Sequence, residues 1–514
     1  MKRSSPSHTH QAPPEPLSAC LQENLLKIKT TLGNSSDLVI REIRMGTSRD
    51  LRAGILYTEG LADNQLISQF MEVLLVHAKE LEVDQKVTRH LDLVTLLKEN
   101  VLTVGGVTDL VDFQHLYISL LSGDTVILVD GCAVGLRIGT RGWEDRGVEE
   151  ASVQTVVRGP REAFSENIRT NTALIRRRIK DPNLWLETKY IGRVTQTEVS
   201  LMYIKGIVND KVVEEVHRRL DRIDIDGILE SGYIEELIQD ETFTPFPTMF
   251  NTERPDTVAA NLLEGRVAIL VDGTPVVLLV PIVFTQFFQA SEDYYHRSDF
   301  GALRLLRMIS FFITLLAPSL FIAITTFHQE MLPTILMISV AAQREGVPFP
   351  AAIEAFLMEF TFEILREAGV RMPRPVGPAI SIVGALVLGE AAVQAGLVSP
   401  AMVIIVSITA ITSFVFPSFS MSIPVRLLRF VLMGMAASFG ILGIFVGLIA
   451  MSLHLTSLRS FGVPYMSPLA PMNGPDQKDT LFRFPIWAMH TRPRLISQKN
   501  IVLEQSPPPK PDQS

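Results

Sequence analysis

Glu359, Glu363 and Glu367 recur every four residues in a stretch whose pattern predicts an amphipathic helix over residues 351–369. Residues four apart share a helix face, so these carboxylates line up, whereas Glu354 lies about one and a half turns before Glu359 and points elsewhere. A row of carboxylates in an apolar setting has a definite chemical use: it replaces the hydration shell of a cation inside a low-dielectric slab. In a ring of identical subunits, each acidic position becomes a ring of carboxylates that favours cations. Phe356, Phe360 and Phe362 on the same helix are apolar candidates for a gate or for packing between subunits. A plainer reading stands beside this one. The helix lies on a surface, with Glu367 bridged to Arg371 four residues on, or capped by Arg366.

Two more polar groups stand in apolar surroundings. Glu390 interrupts a long apolar run, with Gln394 one turn later. An acid inside a membrane is costly and must face a partner or water. It either pairs with a Ser/Thr-rich neighbour (Ser407, Thr409, Thr412, Ser413) or touches an ion directly. Gly443 and Gly447 form G-x-x-x-G, with Gly440 preceding. Small residues at that spacing let helices approach closely, within one chain or between copies.

Enzymatic signatures are absent: no GxxxxGK[ST], GxSxG, HExxH or CxxC occurs. The ten histidines are scattered, and His328 reads as an exposed loop residue. Cys20 and Cys132, far apart, read as two reduced thiols. No catalytic residue, metal or cofactor is expected. The run Arg176, Arg177, Arg178 and Lys180 reads as a solvated helix face. Without interleaved aromatics it does not point to nucleic acid.

These candidates need elements to hold them. The chain has 514 residues, 20% of them charged, and a net charge of −8 that averages two different solvents. Mean hydropathy is +0.25. Charges crowd the first 300 residues, and from Met308 long stretches carry none. Uncharged or nearly uncharged runs at residues 308–326, 376–398, 400–417 and 430–453 are the expected membrane spans. Pro318 predicts a kink in the first. Residues 331–369 combine a short apolar run, a Pro-rich turn and the acidic helix, which reads as a re-entrant or pore-lining element.

On the soluble side, residues 17–100 show helical periodicity. Residues 160–179 and 211–223 read as further helices, and 198–208 as strand-rich. The sequence GDTVILVDGCAVGLRI (residues 123–138) is a hairpin signature. Its core Ile127-Leu128-Val129-Asp130-Gly131 returns as Ile269-Leu270-Val271-Asp272-Gly273, which predicts two related subdomains. The second copy, residues 265–282, is apolar enough to mimic a membrane span, but Asp272 and Gly273 break it centrally. The fold class expected is therefore mixed: a soluble α/β region of two related subdomains (18–155 and 156–300), then an all-α polytopic membrane domain (301–455). A polar Pro-rich tail (1–17) reads as disordered with no cleaved signal peptide, and 456–514 as a cytosolic tail. Arg297, Arg304 and Arg307 place the start of the first span in the cytosol. Arg459, Lys478, Arg483, Arg492 and Arg494 place the C-terminal tail there too. Four spans plus a non-crossing element satisfy both placements, but leave Arg371, Arg374, Arg426 and Arg429 on the outer side.

Several stretches in order resemble the GerA family of spore germination proteins, specifically the A subunit of germinant receptors. They are VVRGPREAF (156–164), NTALIRRRI (171–179), PFPTMFNTERPD (245–256), GRVAILVDGTP, MLPT (331–334), VPFP (347–350), LMEFTFEILREAG (357–369) and FGVPYMSP (461–468). The likeness covers residues 18–484, and the Pro-rich N-terminal tail departs from the family pattern. It implies a subunit in the spore inner membrane, surrounded by lipid, that works with a transporter-like B subunit and a lipoprotein C subunit. It also implies a homo-oligomer that forms a nutrient-gated ion channel. A non-conducting scaffold is the alternative. A secondary transporter would show inverted repeats, often with paired broken helices, and one broken region is visible.

Overall fold

The computed structural model describes residues 15–45, 51–69, 71–72, 106–142, 154, 156, 158–295, 301–371, 389–480, 482–497, 500 and 502–503. The expected N-terminal tail (apart from its last residues), most of the helical stretch after Leu66, and residues 376–388 of the second expected span lie outside them. The chain forms two compact units. The first takes residues up to Ile238 with Asn251–Val280 and Ile496–Ile501, and the second takes Gln239–Phe250 and Pro281–Leu495.

The first unit is α/β, with two sheets built on one plan. In the first half come α1 (Leu21–Thr31), β1 (Leu38–Met45), β2 (Leu51–Thr58), β3 (Val107–Leu110), α2 (Phe113–Leu120), β4 (Thr125–Val129) and β5 (Gly135–Ile138), in a sheet of order β1-β2-β4-β5-β3. The second half contains α3 (Ile168–Arg178), β6 (Leu184–Ile191), β7 (Thr197–Ile204), α4 (Asp210–Leu220), α5 (Ser231–Ile238), β8 (Phe250–Thr252), α6 (Pro255–Leu263), β9 (Val267–Val271) and β10 (Val277–Val280). Its order, β6-β7-β9-β10-β8, repeats the first position for position. The expected helix at 160–179 begins only at Ile168.

The repeated pentapeptide does more than turn a hairpin. Asp130 Oδ1 accepts from the N–H of Leu21 at 3.0 Å, and Asp272 Oδ1 accepts from the N–H of Ile168 at 3.2 Å. Each acid thereby occupies an orphan donor at the first residue of its subdomain's first helix. Gly131 and Gly273, at φ 86° and 87°, donate to Ala19 O and Glu166 O, both at 2.8 Å. Positive φ is cheap only for glycine, so the turn selects this pair of residues. β4 is buried at all five positions, as is β9. On β4, Ile127 and Val129 serve one core, and Val126 and Leu128 serve another with α1 and α2. A strand covered on both faces reads as a continuous apolar run, which is why residues 265–282 imitate a membrane segment.

Arg176 corrects the reading of the basic run. Its side chain is 1% exposed and is held by Asp37, with Nη2 donating to Oδ1 at 2.9 Å and Nη1 to Leu184 O at 3.0 Å. This buried pair joins the two sheets, because an unpaired guanidinium there would be costly to desolvate. Beside it, Trp185 covers Gly33, where a Cβ would meet the indole at 2.1 Å.

The second unit is helical: α7 (Ala302–Thr326), α8 (Thr334–Arg344), α9 (Ala351–Arg371), α10 (Pro400–Ser413) and α11 (Phe419–Ser457). Among the described residues, α7 and α11 are long and apolar enough to cross a membrane, and α10 is a shorter apolar helix. α7 runs through Pro318 unbroken. The run expected as one span at 430–453 is interrupted instead. At Gly440 the backbone leaves the helix, with φ 62° and ψ −140°. A Cβ on Gly447 would lie 2.4 Å from Leu432 Cδ2, and one on Gly443 would lie 2.2 Å from Met435 O. In a straight helix, residues 432 and 447 would be about 22 Å apart, so α11 folds back on itself. Its glycines let the two arms close on each other, a contact within the chain.

Contacts fix how the helices run. Thr314 Oγ1 donates to Thr412 Oγ1 at 2.8 Å, and Ile322 and Ala323 share a core with Met402. α10 is therefore antiparallel to α7. Glu354 meets Ser399 at the start of α10, and Arg366 reaches Ser413 at its end, so α9 runs with α10. The reversal at Gly440 lies against Phe327 and His328, at the far end of α7. The second arm returns to His454, whose Nε2 is 2.8 Å from Thr244 Oγ1. Arg371 and Arg426 therefore lie toward the end where α7 starts.

Among the described residues after α11, Ser460 and Tyr465 are packed. Ser460 Oγ donates to Thr248 O at 2.7 Å and accepts from Ile282 N at 2.9 Å. Tyr465 is fully buried against Phe284 and Phe287.

Asp272→Ala and Asp130→Ala should each remove about 1 kcal/mol from the first unit, lowering its thermal transition by about 2–4 °C. Gly440→Val should cost roughly 1–3 kcal/mol in backbone strain, before its clash with His328. Gly434→Ala, with open space around it, should be neutral or stabilising, and thermal unfolding of the detergent-solubilised chain separates the two.

Candidate functional site

The structure separates the acidic row on α9. Glu359 is fully buried, with Oε2 3.0 Å from Arg429 Nη2. Glu363 accepts from Arg426 Nη1 at 2.9 Å and from Arg429 Nη2 at 3.0 Å. Both cations come from the first arm of α11. The sequence contained that signal, because two arginines entering an otherwise uncharged helix require acids nearby, but it did not show which acids. Glu354 is buried too. Its Oε2 accepts from Ser399 N and Oγ at 3.0 and 2.9 Å, closing the start of α10, and its Oε1 faces Arg344 Nε at 3.2 Å. Glu367 alone stays outside, bridged to Arg371 with Nε donating at 2.8 Å.

The aromatics divide in the same way. Phe356 packs against Phe430, ring centroids 6.2 Å apart, and both Phe356 and Phe362 lie partly buried against the helical core. Phe360 is 62% exposed. It shares an outward stripe with Ile353, Leu357 and Ile364, which are 41–55% exposed. Glu367 continues this stripe at spacings of three and seven residues from Ile364 and Phe360. α8 beside it buries no residue at all. Glu390 and Gln394 are exposed and paired to each other, Nε2 to Oε1 at 3.1 Å. The hydroxyls of Ser407, Thr409 and Ser413 bond to carbonyls of their own helix instead.

The first unit holds a second candidate that sequence reasoning missed, a cleft of about 440 Å3 lined by Glu59, Asp63, Ala62, Arg169, Leu174 and Arg177 among others. Arg169 Nη2 lies 3.0 Å from Glu198 and its Nε 3.7 Å from Glu59. Burial raises the Glu198 carboxyl above its ordinary range, and the Arg169 charge opposes that rise. The motif NTALIRRRI supplies part of α3 and therefore part of this wall, yet nothing in its spacing announces a cleft.

A family model described as Bacillus/Clostridium GerA spore germination protein matches residues 26–495. The chain is 52% identical over 487 residues to spore germination protein KA of Bacillus subtilis (strain 168), covering 95% of this chain and 88% of that one. It is 40% identical over 484 residues to spore germination protein GerLA of Bacillus cereus, covering 94% of this chain and 97% of that one. Among solved structures it is similar to the N-terminal domain of the A subunit of the Bacillus megaterium spore germinant receptor GerK3. The identity is 46%, the TM-score 0.42, and the coverage 53% of this chain and 99% of that one.

Arg429→Gln strands Glu359 in a buried site and should cost about 3–5 kcal/mol. Glu367→Gln alters an exposed pair and should stay within about 1 kcal/mol. Melting curves of the two purified variants measure the difference; equal losses would mean that Arg429 is not the partner holding Glu359.

Proposed function

The chain belongs to the GerA family of spore germination proteins, the A-type subunits of germinant receptors, and we propose that it oligomerises into a nutrient-gated ion channel in the spore inner membrane. It works there with a transporter-like B subunit and a lipoprotein C subunit, and it has no enzymatic role. The observation that carries this reading is the outward stripe on α9. Ile353, Leu357, Phe360 and Ile364 are apolar and exposed, and Glu367 ends the row toward the start of α7. An apolar stripe of this kind requires lipid or other copies of the chain against it. Arranged in a ring, it gives a dewetting constriction followed by a ring of carboxylates, the two parts a cation gate needs. Glu359 and Glu363 take the supporting role, since Arg426 and Arg429 hold them in pairs inside the subunit, whereas the Glu367–Arg371 pair is exposed.

The helix directions support a multi-pass topology. α7 and the first arm of α11 run one way, and α9, α10 and the second arm run the other. The connection from α9 to α10, which includes the expected span at 376–398, starts at one end and finishes at the other. Six passes keep both flanks of the helical unit on one side. Arg304, Arg307, Arg371, Arg426 and Arg459 then share the cytosolic side, as the distribution of positive charge demands. The first unit, on that side, is the surface for coupling and assembly.

Ion flux through proteoliposomes holding the assembled receptor tests this reading. Glu367→Gln should lower the preference for cations over anions by roughly fivefold, the effect of about 1 kcal/mol for one charge near the ion. Phe360→Ala should raise flux in the absence of nutrient. Flux from well-assembled receptor that ignores both changes would count against the pore, and cross-links found only to other subunits would favour a non-conducting scaffold.

A further inference from the structure

The segment that follows α11 carries an exposed aromatic run at the point where α7 begins. Its anchor is Arg483, whose side chain is buried, donates to Asp293 O and lies 5.3 Å from the Tyr294 ring. The Arg483 backbone crosses so close to Gly301 that a Cβ there would meet its N and O at 3.0 Å. Gly301 immediately precedes α7. Two further links hold the same segment in place. Arg304 in the first turn of α7 donates to Asp479 O, and the Phe484 N–H donates to Lys478 O at 3.0 Å. With Arg483 turned inward, its neighbours turn outward. Phe482, Phe484, Ile486 and Trp487 are 39–53% exposed. On α7 at the same level, Leu303, Leu306 and Ile309 are exposed as well.

We propose that Phe482, Phe484, Ile486 and Trp487 form an interfacial anchor that beds into the headgroup boundary of the bilayer leaflet entered by α7. The inference rests on the reading of α7 as a membrane span. Three features select lipid as the occupant. The run is fixed to the residue where the apolar helix starts, so its height relative to a bilayer is set. It lies beside Gly301, where the helix that exposes Leu303, Leu306 and Ile309 begins. It also has the aromatic composition, tryptophan included, that concentrates at membrane interfaces. An apolar cluster of this density is otherwise rare on a surface facing water.

The chain has three tryptophans, Trp143, Trp185 and Trp487, so Trp143→Phe with Trp185→Phe leaves Trp487 as sole reporter. The full chain in nanodiscs, made with lipids brominated near the headgroup or near the chain end, reads its depth. The expected result is blue-shifted emission, quenched more by the shallow bromines than by the deep ones. A control replaces Trp487 as well and carries Phe312→Trp on the exposed face of α7, where deep bromines should quench. Red, unquenched Trp487 with a quenched control overturns the anchor and leaves the span intact. Blue but unquenched emission assigns the cover to protein, such as a second copy, and overturns it equally. An unquenched control removes the span and the anchor together.

Discussion

Guanidinium groups buried inside the helical unit must be answered by oxygen, and that requirement decides how its helices run. Arg429 and Arg426 answer Glu359 and Glu363, which fixes α9 against the first arm of α11. Arg344 answers Glu354, which in turn holds Ser399 and so sets the start of α10. Arg304, Arg307 and Arg483 converge on Asp293, tying the start of α7 to the segment beyond α11. Apolar packing among these helices is nearly directionless. The ion pairs, expensive to leave half made, specify which of many similar helix arrangements forms.

Much of the first unit was legible because its signals are local. The Ile-Leu-Val-Asp-Gly repeat marked both hairpins and the duplication, and a strand covered on both faces explains its apolarity. The second job of Asp130 and Asp272, capping a helix more than 100 residues earlier, was not legible, since nothing local marks it. Arg176 looked like its neighbours Arg177 and Arg178, and only the folded position of Asp37 distinguishes it. Periodicity placed Glu359, Glu363 and Glu367 on one side of a helix without saying what faces that side. The partners Arg426 and Arg429 lie some 60 to 70 residues away. Gly440, Gly443 and Gly447 read as a packing face. They do permit close approach, but one of them also breaks the helix, a use of glycine that spacing alone does not separate from the first.

α9 now has two distinct sides. Its inward side carries Glu359, Glu363 and Phe356, locked to α11. Its outward side carries Phe360, which is exposed, and Glu367, which is bridged to Arg371. A helix fastened on one face carries any displacement of its supports over to the other face. Movement at the α9–α11 ion pairs therefore changes the position of the outward stripe.

The fold at Gly440 bears on how such a chain enters a bilayer in the first place. From Phe430 to Leu458 the sequence contains no Asp, Glu, Lys or Arg, and both ends of that stretch finish near the start of α7. On the proposed six-pass topology the two arms go in as a pair from one side, and the deepest part is the uncharged turn around Gly440. No flanking arginine has to be carried through hydrocarbon. A straight 39-residue helix would have had to deliver one of its polar ends to the far side, whereas the hairpin delivers only a glycine.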